Sequence, residues 1–231
     1  LAAVGSAYTL MIFLISVLLG LSMGSGTVFS LQYGAGDQSA LRRSIFVSFV
    51  LIGTVTLVLN VAVFFWLDPI LRLLQVPQDI YGMMRSYLWI IFWGIAFTFI
   101  YNFYAALLRA VGDSVTPLWF LSISVVLNIV LDLFFILQLD WGIEGAAIAT
   151  IIAQGISALG IAAYTYMQRP ELRLHSADIH FDRTCLKEIT SFSLLTCVQQ
   201  SVMNFGILMI QGLVNSFGTA VMAAFAAAVK I

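Results

Sequence analysis

The sequence predicts an all-α, polytopic transmembrane helix bundle, and three observations carry that prediction: the composition, the lengths of the apolar runs and the placement of the charges. Of 231 residues, 61% are hydrophobic and 9% charged, with a mean hydropathy of +1.04. A water-soluble domain carries roughly a quarter charged residues, so that class is excluded. Disorder is excluded too, because it requires low hydrophobicity and high net charge. A net charge of −1 offers no basic surface for nucleic acid. Cys185 and Cys197 fit neither a disulfide framework nor a zinc cluster.

A helix needs about 20 mostly apolar residues to cross the hydrocarbon core. On that measure spans are expected near 8–31, 44–66, 86–108, 115–138, 143–167 and 187–217, with a seventh beginning near 219. The first runs without a charge from Tyr8 to Leu31 and stops at the turn Gly34-Ala35-Gly36-Asp37. The second follows Arg42 and Arg43 and reaches Trp66; the third lies between Arg85 and Arg109. The fourth carries Pro117 in its first turn, where a missing N–H costs little. The fifth is dense in small residues (Gly145, Ala146, Ala149, Ala153, Gly155), which lets its backbone approach the fourth closely. The sixth follows a charged segment at 168–186. No stretch alternates apolar and polar residues as the strands of a membrane β-barrel do.

Basic residues set the orientation. Arg42, Arg43, Arg109, Arg169, Arg173, Arg183 and Lys187 fall on one side, against Arg72 and Arg85 on the other. The first group is therefore expected in the cytoplasm, with residue 1 outside, in a plasma membrane. Trp66, Trp89, Trp93, Trp119 and Trp141 fall near span ends, as an aromatic belt requires. The chain starts at Leu1 without a methionine and stops at Ile231 partway along a span, so a fragment of a longer protein is expected. Leu1–Ala7 resembles Met222–Ala228, six helices later. An even number of helices preserves orientation, which points to a repeat about an axis along the membrane normal; two Ala-rich stretches alone prove little, but the match falls where the topology also repeats.

Ten of the eleven acidic residues lie in loops or at span ends, and Asp132 alone sits well inside a span. An ionisable group there costs about 2.5–3.5 kcal/mol on insertion scales and marks function by default. Asn128 precedes it by four residues, on the same helix face. Asp132 lies roughly 9 Å short of the outer end of its span, and Thr150 roughly 10 Å down the next, at 1.5 Å per residue. Carboxylate, amide and hydroxyl can therefore meet at one depth. Their oxygens are hard ligands suited to a proton or a small hard cation, and sodium at Asp132 is the one metal ion left open. The alternative is a protonated Asp132 that only hydrogen-bonds between helices. Gln200, Asn204, Gln211 and Asn215 form a second polar stripe, facing either a substrate cavity or a neighbouring helix.

Other signals stay weak. Gly34-Ala35-Gly36-Asp37 lacks the Lys-Ser/Thr of a phosphate loop. His175 and His180 sit in a charged loop without metal-ligand spacing, and no nucleophile–base arrangement suggests an enzyme.

Four segments, in order, resemble the multidrug and toxic compound extrusion (MATE) transporters: Gln32–Asp37, Arg109–Pro117, Asn128–Asp132 and Gly145–Thr150. The resemblance covers essentially the whole chain. It implies one incomplete six-helix lobe of a twelve-helix transporter, with the six spans as the family's second to seventh helices. Residues 1–167 would be the N-terminal lobe, 168–186 the inter-lobe linker and 187–231 the start of the C-terminal lobe. It also implies a secondary antiporter that exports cationic amphipathic compounds in exchange for protons or sodium, with no cofactor. The cation-site roles carry over to Asp132, Asn128 and Thr150; a further aspartate belongs to a first helix this chain does not contain. Leu195 stands where the family often has a proline, which puts a bend there in doubt. Two other functions remain: a flippase for lipid-linked saccharides or cell-wall precursors, which should line its cavity with arginines, and a non-transporting membrane fragment.

Overall fold

A computed structural model describes residues 2–73, 78–175, 178–179 and 182–216. Seven α-helices follow in order: α1 (Ala2–Gly34), α2 (Gln38–Leu73), α3 (Gln78–Trp93), α4 (Ile95–Ala110), α5 (Val115–Leu133), α6 (Gly142–Gln168) and α7 (Arg183–Ser216). A π-helical turn, Phe134–Gln138, extends α5. The seventh span near 219 and the repeat copy at 222–228 lie outside the described residues.

Among the described residues four helices are long and apolar enough to cross a membrane, and the pair α3–α4, bent by 43°, makes a fifth when taken as one span. The break falls at Gly94, which the sequence reading ran through as one continuous span. A Cβ there would stand 3.0 Å from the Ile91 carbonyl oxygen and 3.1 Å from Ile151 Cγ1 on α6, so a larger residue would make these neighbours give by a few tenths of an ångström. The sixth expected span, 187–217, coincides with α7, whose 34 residues suffice in length to cross a membrane. Through Leu195, α7 is unbroken α-helix.

The turns follow from glycine and aspartate chemistry. Gly36 and Gly112 have φ of +74° and +90°, a region L-residues rarely adopt. Each is followed by an aspartate that caps the next helix. Asp37 accepts from the Ala40 N–H at 2.9 Å, and Asp113 accepts from the Thr116 N–H at 3.0 Å and hydroxyl at 2.8 Å.

The α1–α2 turn, the α4–α5 turn and the 168–186 segment share one end of the bundle. Arg169 donates to Asp113 at 3.2 Å, Arg42 to Asp178 at 2.9 Å, and Arg43 lies 3.8 Å from Asp182. Burial alone would raise the Asp113 carboxyl, but the Thr116 donors and the Arg169 guanidinium outweigh it and hold Asp113 below the usual carboxylate range. Because the folded value is depressed, this contribution is complete above about pH 4 and fades as pH falls through the folded value. Asp113→Ala should lower thermal stability of the detergent-purified protein by about 1–2 kcal/mol near neutral pH. The gap to the parent should shrink on acidification; a gap independent of pH would show that only packing was lost.

Phe29, Phe92, Phe99 and Phe103 form the core of the bundle with Leu18, Ile52 and Leu107; Phe29 meets Phe103 edge-on at 6.0 Å between centroids. Helix α5 has only Pro117 buried, and all five tryptophans are exposed. Such an apolar exterior suits lipid rather than water.

Candidate functional site

Helices α5 and α6 pack through small residues. Ser157 donates to the Phe120 carbonyl at 2.9 Å, and a Cβ on Gly160 would stand 2.7 Å from the Phe120 ring. This close approach brings Asn128 to Thr150, its side-chain amide donating to the Thr150 hydroxyl at 3.3 Å. That hydroxyl in turn donates to the Ala146 carbonyl at 2.9 Å. Asp132, one turn from Asn128, does not join this chain. Its Oδ1 is buried and makes no hydrogen bond among the described residues. Tyr87 on α3 lies within electrostatic range of it, and the π-helical turn begins two residues later. π-turns occur often at functional sites. A buried carboxylate oxygen without a partner is costly, and it is the kind of atom a proton or a cation would satisfy.

Beside this group lies a cavity of about 360 Å³ between α1, α4, α5 and α6. Its polar lining includes Thr98, Asn102, Asn128, Thr150, Gln154 and Ser157, and none of the described lining residues is charged. Asp132 is not among them. Thr98 donates to Gln154 at 3.2 Å, and Asn102 donates to the Thr98 carbonyl at 2.8 Å. The cavity therefore opens beside the break at Gly94, four residues before Thr98. Sequence reasoning missed Thr98, Asn102 and Gln154. The signal was present: Thr98 and Asn102 are four apart, as are Thr150 and Gln154, so each pair shares a helix face.

The second polar set is split. Gln200 and Asn204 are half-buried on α7. The side chains of Gln211 and Asn215 lie outside the described residues.

The MatE family model matches residues 1–134, more than half of the sequence. The chain belongs to the MatE family. MatE proteins are transporters, not enzymes. Among curated relatives, the chain is 34% identical over 230 residues to "Probable multidrug resistance protein YpnP" of Bacillus subtilis, covering 100% of this chain and 51% of that protein. It is 29% identical over 198 residues to "Probable multidrug resistance protein NorM" of Thermotoga maritima, covering 84% and 42%. The MatE chain thus spans about half the length of the relatives it matches. Its fold is that of solved MATE transporters. It superposes on an outward-facing structure of a multidrug resistance MATE family transporter with a TM-score of 0.86 at 23% identity, over 94% of this chain and 49% of that one. An inward-facing structure gives 0.84 at 24%, over 91% and 48%.

Proposed function

We propose that this chain is most of the first lobe of a secondary antiporter that exports cationic amphipathic compounds in exchange for protons or sodium. Residues 1–167 form that lobe, 168–186 the linker and 187–231 the start of the second lobe. The observation that carries the reading is Asp132 Oδ1, buried and unpartnered one turn from the Asn128–Thr150 pair. Asp132 holds the proton or sodium ion, while the amide of Asn128 and the hydroxyl of Thr150 supply neutral oxygens of the hard kind such a cation prefers. The adjacent cavity of about 360 Å³ is of the size small-molecule sites take; Gln200 and Asn204, half-buried on α7, are proposed to face the substrate path. The flippase alternative is disfavoured by the absence of arginine among the described lining residues, since a pyrophosphate needs charge-assisted donors.

Coupling follows from differential affinity. A ligand shifts two states only by as much as it prefers one of them. An Asp132 that is dry in one state and hydrated or ion-filled in the other binds its cation differently in each, and a gradient then biases the equilibrium. The test is dye efflux from proteoliposomes of the full-length transporter under imposed proton and sodium gradients. Efflux that needs one of these gradients supports the reading; transport indifferent to both contradicts it.

The arginine-rich end faces the cytoplasm, with residue 1 outside. Single cysteines at the exposed positions Gln38 and Ser114 should resist an impermeant maleimide in intact cells and react after permeabilisation. Labelling of either in intact cells would reverse the topology.

A further inference from the structure

We propose that Asn60 on α2 is a positioning residue of the transporter. By donating to the Phe92 carbonyl it holds the break at Gly94, and through that break it ties the cation site to the cavity; the inference rests on the transport reading above. Asn60 interrupts the apolar run Leu57–Trp66. It is half-buried, and its side-chain amide donates to the Phe92 carbonyl of α3 at 2.6 Å. An amide at this depth is costly unless it is hydrogen-bonded, and the partner it has found is backbone.

That backbone belongs to the break. The Gly94 N–H donates to the Ile91 carbonyl at 2.8 Å, a three-residue turn in place of the helical four. The Thr98 N–H resumes the ordinary pattern by donating to the Gly94 carbonyl at 3.0 Å. A broken helix is tolerated inside a bilayer where a neighbouring helix satisfies the backbone, and Asn60 is the group that α2 supplies. A straight course would return the Ile91 carbonyl to the Ile95 N–H, its four-residue partner. Bonds given up in one course are thus regained in the other, and a single side chain on α2 favours the bend.

The two halves of the span carry different parts of the site. Helix α3 holds Tyr87, within electrostatic range of Asp132; α4 holds Thr98 and Asn102, which line the cavity. Between them Gly94 abuts α6, where a Cβ would stand 3.1 Å from Ile151 Cγ1 and 3.4 Å from Gln154 Oε1. Thr150 immediately precedes Ile151. Helix α2 grips both halves. Phe64 meets Trp89 and Trp93 of α3 at 5.8 and 5.2 Å between centroids, and Phe49 meets Phe99 and Phe103 of α4 at 5.2 Å each. Asn60 lies between these two grips, at the bend. A change of angle there moves Tyr87 relative to Thr98 and Asn102, so a cation held beside α3 is felt in the cavity beside α4.

The test reads a ratio of affinities, because a merely structural loss weakens binding under all conditions and leaves the ratio alone. Tetraphenylphosphonium binding to full-length protein in lipid nanodiscs is measured at low and high proton activity without sodium, then at low and high sodium at fixed pH. In the wild type one of the two ions should weaken binding at least ~5-fold. Asn60→Leu, which removes the donor, should bring that factor below ~2-fold, and Asn60→Gln, which keeps an amide, should restore most of it. Spin labels on encoded ketone side chains at the exposed positions Met83 and Ser114 follow the bend itself. Asn60→Leu should lengthen their mean distance by roughly 3 Å as the bend opens. A folded Asn60→Leu with the parental factor or the parental distance overturns the inference and leaves antiport intact. If Asn60→Leu does not fold, Gly94→Ala must lower the factor by crowding the Ile91 carbonyl from the other side, and a parental factor there overturns the inference equally. A wild type whose affinity ignores both ions overturns the antiport reading and this inference with it.

Discussion

Asp132→Asn should abolish gradient-driven efflux by the full-length transporter while leaving its membrane insertion intact. Asparagine keeps the size of the side chain and its capacity for hydrogen bonds, and removes the charge and the titration. Insertion does not suffer, because an amide is cheaper than a carboxylate in the bilayer. Coupling does suffer, because the residue can no longer hold a proton in one state and release it in another. Coupling free energies of about 1–3 kcal/mol correspond to roughly 5–150-fold, so the coupled rate should drop by ~100-fold. Asn128→Ala and Thr150→Ala should each cost less, roughly 3–10-fold, as each removes one neutral oxygen near the site. The comparison is made by efflux under matched proton and sodium gradients at equal protein density. Parental rates with unchanged ion dependence in Asp132→Asn would make the residue structural.

Ser124→Trp should eliminate export of bulky compounds while weakening ion binding less. Ser124 lines the cavity from α5, one turn before Asn128. An indole projected there would occupy a large share of about 360 Å³. The variant should lose at least ~10-fold in apparent affinity for a large dye, since overfilling a packed space costs 1–3 kcal/mol. Ion binding should fall less than dye binding, because Asp132 is not among the described lining residues, although Asn128 and Thr150 are. Equal loss of ion and dye binding would show that the variant had unfolded the lobe or that cavity and ion site are one.

Much of the fold is legible in the sequence because a bilayer imposes length. Runs of about 20 apolar residues have one use, and the turns at Gly36 and Gly112 announce themselves through glycine followed by a capping aspartate. The break at Gly94 is not legible. Trp93 and Ile95 continue the apolar run without interruption, and a glycine in a membrane helix is compatible with both a straight and a broken course. Its meaning comes from Ile151 and Gln154 packed against it, which belong to a helix more than 50 residues away. The same holds for the site. Depth arithmetic brings Asn128 and Thr150 to one level, and they are hydrogen-bonded. It cannot say that Asp132 Oδ1 stays without a hydrogen bond among the described residues, nor that Thr98, Asn102 and Gln154 share a cavity with Asn128 and Thr150, because both depend on how the helices rotate about their axes. Gly20 and Gly24 likewise read as ordinary small residues until Ser193 and Cys197 are seen against them.

The central claim, that Asp132 exchanges a cation for the exported compound, is tested most directly by ion release. A lipophilic cation is added to full-length protein in weakly buffered detergent solution, with a pH indicator recording protons and, in parallel, sodium resonance recording displaced Na⁺. The wild-type protein should release one of the two ions on binding, and Asp132→Asn should bind the compound and release neither. The same release from both proteins would contradict the account and move the exchange site to another residue.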